Sequence, residues 1–408
     1  MRPRRLIFVN RFYWPDEPAT GQLLTDLAEN LAETGREVLI LASGASDSPR
    51  DEVRNGVMIR RVAGRGNERG ALRKLLAWVR FGLGACWELS RLVQKGDQLV
   101  LMTDPPLLPL LAGPIARRRG AVIFHWVQDI YPELPERLNG WRGLGPIRKL
   151  RNREWRLAAG VVVLGADMAG FVRAHGVAPG RLRVHPNWAP RGLRPATPAA
   201  IARRRQDWGL DGKFVLCYSG NLGRVHALEP LLDVAAALQS DPAFCLLIIG
   251  HGAQFARLQA AVHERRLGNV IFQPPQPRDK LGLTLGVADV HCVTLRDGCE
   301  DLVFPSKFYG IAAVGRPMLF IGPAQSEIAR LIADHNLGGA FTGGDIAAMV
   351  TLLRAWRAHP ELPQSIGQHA LAYHQSQPGF IGTAIGWKNL LDSPSSDPGT
   401  GSHPIPSS

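Results

Sequence analysis

Residues 6–42, LIFVNRFYWPDEPATGQLLTDLAENLAETGREVLILA, decide the fold class. Leu6–Val9 is a short apolar run that reads as a buried strand. A loop with Pro15, Pro18 and Gly21 follows. From Gln22 to Thr34, Leu23, Leu24, Leu27 and Leu31 recur at helical spacing, and Gly35 stops the helix. Glu37–Ala42 is the next strand. A helix between two strands makes them parallel neighbours, so both sheet faces need helical cover. The class is α/β. Further strands are expected at 98–102, 121–126 and 160–164.

The pattern then restarts. FVLCYS at 214–219 is a strand, SGNLGRVHALEP is a Gly-rich turn, and 228–238 is a helix. Strands follow at 244–249, 270–272 and 289–294. Two α/β units are therefore expected, over 1–188 and 206–375. The stretch 189–205, rich in Pro, Ala and Arg, reads as the linker. Residues 376–392 read as one more helix crossing back to the first domain, and 393–408 as a disordered tail.

The chain has 408 residues, 45% of them hydrophobic, and a net charge of +13. Two ordinary domains fit that length, and the charge favours anionic partners. Five cysteines form no CxxC pair, and the twelve histidines show no zinc spacing, so neither a disulfide framework nor a metal is expected. The apolar run at 6–9 is too short for a signal sequence, and no uninterrupted apolar run reaches membrane-spanning length. The expected location is the cytoplasm.

Several places offer chemistry to an anion or a sugar. Gly21 opens the first βα turn. Gly220, Asn221, Gly223 and Arg224 form a strand-to-helix turn with backbone donors and a cation, which suits a diphosphate. It is not GxGxxG, so a dinucleotide fingerprint fails. In EDLVFPSKFYG, Lys307 supplies a cation near a helix start at Ser306. Glu300 and Asp301 offer carboxylates able to accept hydrogen bonds from sugar hydroxyls. Asp129 lies just past a strand end, flanked by Gln128 and Glu133, where open α/β sheets place ligands. His125, within that strand, reads as a core residue. Residues 69–95 put Leu72, Leu75, Leu76, Val79, Leu83 and Cys86 on one helical face beside Arg73, Lys74, Arg80 and Arg91. With the basic run 137–156, this suits an anionic membrane surface. No nucleic-acid-binding motif accompanies these arginines, and nucleic acid is not an expected partner.

Taken in order, these segments, together with VHPNWAP (184–190), IIGHGAQFARLQ (248–259) and DLVFPSKFYGIAAVGRP (301–317), resemble glycosyltransferase family 4 of the GT-B fold. The likeness is to its colanic-acid fucosyltransferase-like, capsule and O-antigen branch and covers about residues 5–390. The resemblance implies two Rossmann-like domains facing a central cleft, with a nucleotide-sugar donor on the second and a lipid-linked glycan acceptor on the first. It implies a retaining transfer with no metal essential to the fold; no cofactor is expected, and the basic amphipathic region is expected to attach the protein at the inner face of the cell membrane. The resemblance places Gly21, Gly220, Asn221, Gly223, Arg224, Ser306 and Lys307 around the diphosphate. Glu300 and Asp301 go to the sugar, and His251 and Val270–Phe272 (with Ile271) to the base. Gln128, Asp129 and Glu133 go to the acceptor side; Asp129, Arg224, Asp301 and Lys307 take the catalytic roles.

Two positions depart from the family pattern. Gly310 stands where many relatives carry a ribose-binding glutamate, which leaves Tyr309 or backbone groups to meet the ribose. The usual Arg and Lys pair after the first strand of the second domain is reduced to Arg224. A nucleotide-sugar epimerase of the same fold and a non-catalytic sugar-nucleotide-binding partner are the alternatives.

Overall fold

The computed structural model describes residues 4–16, 18–44, 48–64 and 71–393; residues 394–408, most of the expected tail, lie outside the described residues. The chain forms two compact units. The first comprises Met1–Pro186, Asp301–Phe304 and Ile381–Ser408, and the second Asn187–Glu300 and Pro305–Phe380.

The first unit is built on eight strands: β1 (Leu6–Val9), β2 (Val38–Ser43), β3 (Asp51–Arg54), β4 (Val57–Val62), β5 (Gln98–Met102), β6 (Val122–Trp126), β7 (Gly160–Val163) and β8 (Leu182–Val184). Their order is β3-β4-β2-β1-β5-β6-β7-β8. Every pair is parallel except β3–β4. β1 lies at the centre with all four residues buried, as expected for an apolar run without alternation in a sheet covered on both faces. The β3–β4 hairpin turns at Asn55-Gly56, both at positive φ, the pairing such a tight turn requires.

The second unit has six parallel strands: β9 (Phe214–Ser219), β10 (Phe244–Ile249), β11 (Val270–Gln273), β12 (Val290–Thr294), β13 (Met318–Ile321) and β14 (Gly338–Phe341), in the order β11-β10-β9-β12-β13-β14. Alternate residues of β9 and β10 feed two cores. Leu216, Tyr218, Leu246 and Ile248 pack with Leu231, Leu232, Leu353 and Trp356. Val215, Cys217, Cys245 and Leu247 pack with Leu210 and Val287. The chain runs outward from β9 to β11, then returns to place β12 on the other side of β9. The sheet's switch point is therefore the β9/β12 edge.

The linker expectation needs correction. Asn187 onward is counted with the second unit, and Pro198–Asp207 is a helix. Thr197 caps it by accepting from the Ala200 N–H, and Pro198 opens it, both favourable helix-start choices. Arg205 ties the helix down by donating to the carbonyl of Val287 at 2.8 Å. Composition rich in Pro and Arg hid an ordered element.

The last helix, Gly379–Asp392, packs in the first unit. Trp387 is fully buried with its ring 5.1 Å from that of Trp126. Gln98 on β5 donates to the Leu391 carbonyl. Gly160 lets the helix approach, since a Cβ there would meet Leu390 at 3.1 Å. Trp387→Ala should lower stability by about 3–5 kcal/mol, the usual cost of truncating a buried tryptophan. Urea unfolding followed by circular dichroism checks this.

Candidate functional site

In the second unit the β9/β12 edge gathers the Gly-rich turn and Lys307. Gly220, at φ +132°, donates to the Ile249 carbonyl, and Leu222 donates to the carbonyl of His251. This backbone contact is possible because residue 250 is glycine: a Cβ there would sit 2.1 Å from the Gly220 oxygen. Lys307 opens the short helix Lys307–Ala313. Its ammonium lies 3.4 Å above the Tyr218 ring, and a Cβ on Gly220 would be 3.7 Å from Nζ. The ammonium is buried and has no hydrogen-bond partner among the described residues. Burial pulls its pKa down to about 7, against the opposing pull of Cys292 and Cys217. The aromatic face compensates part of the lost hydration. Glu300 likewise has a buried carboxylate oxygen without a partner.

Other residues assigned to the donor divide. Asn221, Arg224 and His251 are exposed on this edge, and Ser306 precedes the helix without capping it. Val270 and Phe272 pack against one core and Ile271 against the other. Each is half-buried, with part of its side chain taken up by packing. Tyr309 stacks edge-on to Phe308, and burial, with Glu327 and Tyr373 after it, pushes its hydroxyl pKa well up. Gly310 faces Leu285 and Leu193, so a glutamate there would enter apolar surroundings.

Three residues at this edge escaped the sequence reading. His226 Nδ1 bonds to the Thr294 carbonyl at 2.7 Å, and burial with Lys307 nearby pulls its pKa down to about 3. Gln254 and Arg296 both bond the Gly-rich turn. No periodic or motif signal marks them, because each acts through backbone carbonyls distant in sequence.

In the first unit, Asp129 follows β6 and lines a small pocket with Thr103, Leu107, Leu110, Tyr131, Arg151 and Trp155. Leu107, at φ +66°, holds a backbone conformation unfavourable for leucine. Burial, with Asp104 second, pushes the Asp129 carboxyl up to about 7. Gln128 and Asp129 both donate backbone N–H bonds to Thr103 Oγ1 at 3.3 Å. Glu133 forms a buried ion pair with Arg151 at 2.5 Å. Arg151 also donates to the Tyr131 carbonyl and lies over Trp155. Glu133 is thus the counter-charge that steadies the pocket wall. His125 is fully buried, as its reading as a core residue requires.

Two placements differ from the sequence reading. Gly21 sits in the first turn of the helix Ala19–Glu33 with Phe12 against it, 3.1 Å from where a Cβ would be, so its missing side chain makes room for the chain itself. Asp301 pairs with Arg137, and the adjacent chain is held by Ile130 donating to the Leu302 carbonyl and by a bridge between Asp129 and Val303. Its carboxylate is engaged in the first unit, whereas Glu300 and Lys307 are counted with the second.

The helix Ala71–Leu92 turns Ala77, Phe81, Ala85 and Leu89 inward. It leaves Leu75, Leu76, Val79, Leu83 (64% exposed) and Trp87 (61% exposed) outward, beside exposed Arg73, Lys74 and Arg80. The side chain of Leu72 lies outside the described residues, and Cys86 is half-buried. The basic run is corrected at Arg151, which is buried. No helix among the described residues is long and apolar enough to cross a membrane. No group of three or more His, Cys, Asp or Glu side chains among them is arranged to hold a metal ion.

Comparison with known proteins follows the same division. Residues 20–188 match the model described as a glycosyl transferase 4-like domain, and residues 201–372 match glycosyl transferases group 1. WcaI of Escherichia coli K12, which carries the name of a colanic acid biosynthesis glycosyl transferase, is 34% identical over 173 residues. That alignment spans 42% of this chain and 42% of WcaI. Sucrose-phosphate synthase of Thermosynechococcus elongatus superposes with a TM-score of 0.80 at 16% identity, covering 96% of this chain and 98% of that one. Anabaena HepE in complex with UDP-glucose gives 0.74 at 14% identity, covering 95% and 99%.

The raised Asp129 has a signed consequence. Between about pH 4 and 7 the folded protein holds a proton there that the unfolded chain releases, so this contribution is lost as pH rises through 7. Asp129→Asn should therefore be more stable than the parent at pH 8, with the gap closing toward pH 4. Thermal unfolding of both proteins across that range measures it.

Proposed function

We propose, on the premise that this chain belongs to glycosyltransferase family 4 and has its GT-B fold, that it moves a sugar from a nucleoside-diphosphate sugar onto a lipid-linked glycan acceptor in surface polysaccharide synthesis. The observation that carries the donor side is the buried, unpartnered ammonium of Lys307 beside Gly220 at the switch point of the second sheet. A cation held there without a counter-charge suits an anion that arrives with the substrate. The likeness to HepE, solved with UDP-glucose, and to WcaI, named for colanic acid biosynthesis, supports the substrate class and the biological setting.

In the transfer, the bond between the anomeric carbon and the diphosphate oxygen breaks, and negative charge develops on the leaving phosphate. Lys307 stabilises that charge from a dry site, where an electrostatic contact is worth more than in water. Glu300 accepts hydrogen bonds from sugar hydroxyls through its free oxygen. The acceptor hydroxyl attacks on the face the diphosphate leaves, which retains configuration, and its proton passes to the departing phosphate. Asp129 orients the acceptor from its pocket. The exposed apolar row Leu75–Trp87, bordered by Arg73, Lys74 and Arg80, docks the first unit on an anionic bilayer.

Thermal unfolding with UDP, GDP, dTDP and NAD tests the donor site. One nucleoside diphosphate should raise the midpoint and NAD should not; equal indifference to all four counts against the reading. Lys307→Met should cut transfer by about a hundredfold or more, as loss of a preorganised charge does. Parent-like turnover would remove Lys307 from the mechanism. Its stability also carries a sign. The lowered pKa costs the folded state most at pH 7 and below, so Lys307→Met should gain over the parent there, and the gain should fade toward pH 10. For the membrane, Leu83→Glu with Trp87→Glu should abolish flotation with vesicles containing phosphatidylglycerol. Unchanged flotation would place the contact elsewhere.

A further inference from the structure

Six successive carbonyl groups of the Gly-rich turn, Asn221 to His226, all accept hydrogen bonds from the second unit itself. Tyr218 Oη donates to Asn221 at 2.9 Å. The Gln254 backbone N–H donates to Leu222 at 3.1 Å, and its side-chain amide donates to Gly223 at 2.6 Å and to His226 at 3.0 Å. Arg296 donates through Nε to Arg224 at 2.8 Å and through its backbone N–H to Val225, also at 2.8 Å. Two residues thus hold five of the six. They also touch each other, Arg296 Nη2 lying 3.5 Å from Gln254 Oε1, and the same guanidinium reaches Glu229 at 3.3 Å.

The consequence follows from peptide geometry. In a trans peptide the carbonyl of one residue and the N–H of the next point in opposite directions. Holding the Leu222 carbonyl on Gln254 turns the Gly223 N–H away from it. Holding the Arg224 carbonyl on Arg296 does the same for the Val225 N–H. Among the described residues, the N–H groups of Gly223 and Val225 donate to no protein acceptor. A turn with its carbonyls taken on one side and free N–H groups on the other repels cations and attracts anions.

We propose that Gln254 and Arg296 are positioning residues: they fix the polarity of the turn at Asn221–His226 so that the Gly223 and Val225 N–H groups receive the donor's diphosphate. This rests on the donor-site reading above. Arg296 acts through the turn: its Nε is taken by the Arg224 carbonyl and its Nη2 by Gln254 and Glu229. It compensates by geometry for the second cation that relatives carry after this strand. Lysine cannot replace it, since one ammonium lacks the planar fork that serves a carbonyl and a carboxylate together.

The test uses the full chain and two probes: inorganic pyrophosphate, and whichever of UDP, GDP or dTDP the parent binds, both followed by calorimetry. Arg296→Gln, Arg296→Lys and Gln254→Ala should each weaken both ligands at least tenfold. The double variant Gln254→Ala/Arg296→Gln should lose little beyond the worse single one, because both residues serve one turn. Arg296 is half-exposed, and Arg296→Lys keeps the charge beside Glu229, so that variant decides the matter should the glutamine variant fail to fold. Parent-like binding by Arg296→Lys beside weak binding by Arg296→Gln overturns the proposal, because charge alone would then suffice. Parent-like binding by all variants overturns it too, while leaving the donor site standing. A parent that binds neither pyrophosphate nor any nucleoside diphosphate brings down the donor reading and this inference together.

Discussion

The second unit depends on a contact in which two stretches of main chain meet with no side chain between them. The turn after β9 and the turn after β10 share hydrogen bonds at Gly220 and Leu222, and a single added Cβ at residue 250 would collide with the Gly220 oxygen. Everything at the switch point is arranged around this approach. Because the first turn is pinned from below, its carbonyls can be gathered by Gln254 and Arg296. Because Gly220 carries no side chain, the Lys307 ammonium can come beside it and settle on the Tyr218 ring. The lysine accepts a considerable loss of hydration in that position, which is why its pKa falls.

The Asp129 pocket of the first unit is built on different physics. Here the costly group is acidic, and it is held by neighbours of both signs. Arg151 is neutralised by Glu133 and sandwiched against Trp155, which leaves Asp129 desolvated near Asp104 with its proton retained close to neutral pH. A carboxyl group poised in that range can donate or accept a hydrogen bond with little change in free energy.

Much of the architecture was legible in the sequence, for reasons that also explain the gaps. Strands such as β5, β9 and β10 are continuous apolar runs bounded by polar or Gly residues, and periodicity finds them. The β3–β4 hairpin alternates weakly, and its one strong mark, Asn55-Gly56, is local turn chemistry rather than periodicity. β14, Gly-Gly-Ala-Phe, has no apolar run to mark it, whereas β13, Met-Leu-Phe-Ile, carries one as clear as that of β1. The helix Pro198–Asp207 was hidden by a composition usually found in linkers, although Thr197-Pro198 is a sound helix start. Lys307 and the Gly-rich turn were legible because charge and glycine mark themselves. The engagement of Asp301 by Arg137, across 164 residues of sequence, was not, since ion pairing between distant segments leaves no local trace. The same holds for Gln254 and Arg296, whose partners are carbonyls that every residue possesses.

The division of the chain carries one more consequence. The first unit draws on three separate stretches, the last of them beginning at Ile381, and its sheet is closed by Gln98 bonding to Leu391 and by Trp387 filling the space beside Trp126. The second unit, Asn187 to Phe380, is complete once that span has been made. During synthesis from the amino terminus, the domain that emerges first therefore waits, with a tryptophan-sized gap in its packing, until the stretch from Ile381 has left the ribosome. The domain that emerges second can finish before it. Order of appearance and order of completion are reversed, and a nascent chain halted near residue 380 would present a finished second domain joined to an unfinished first one.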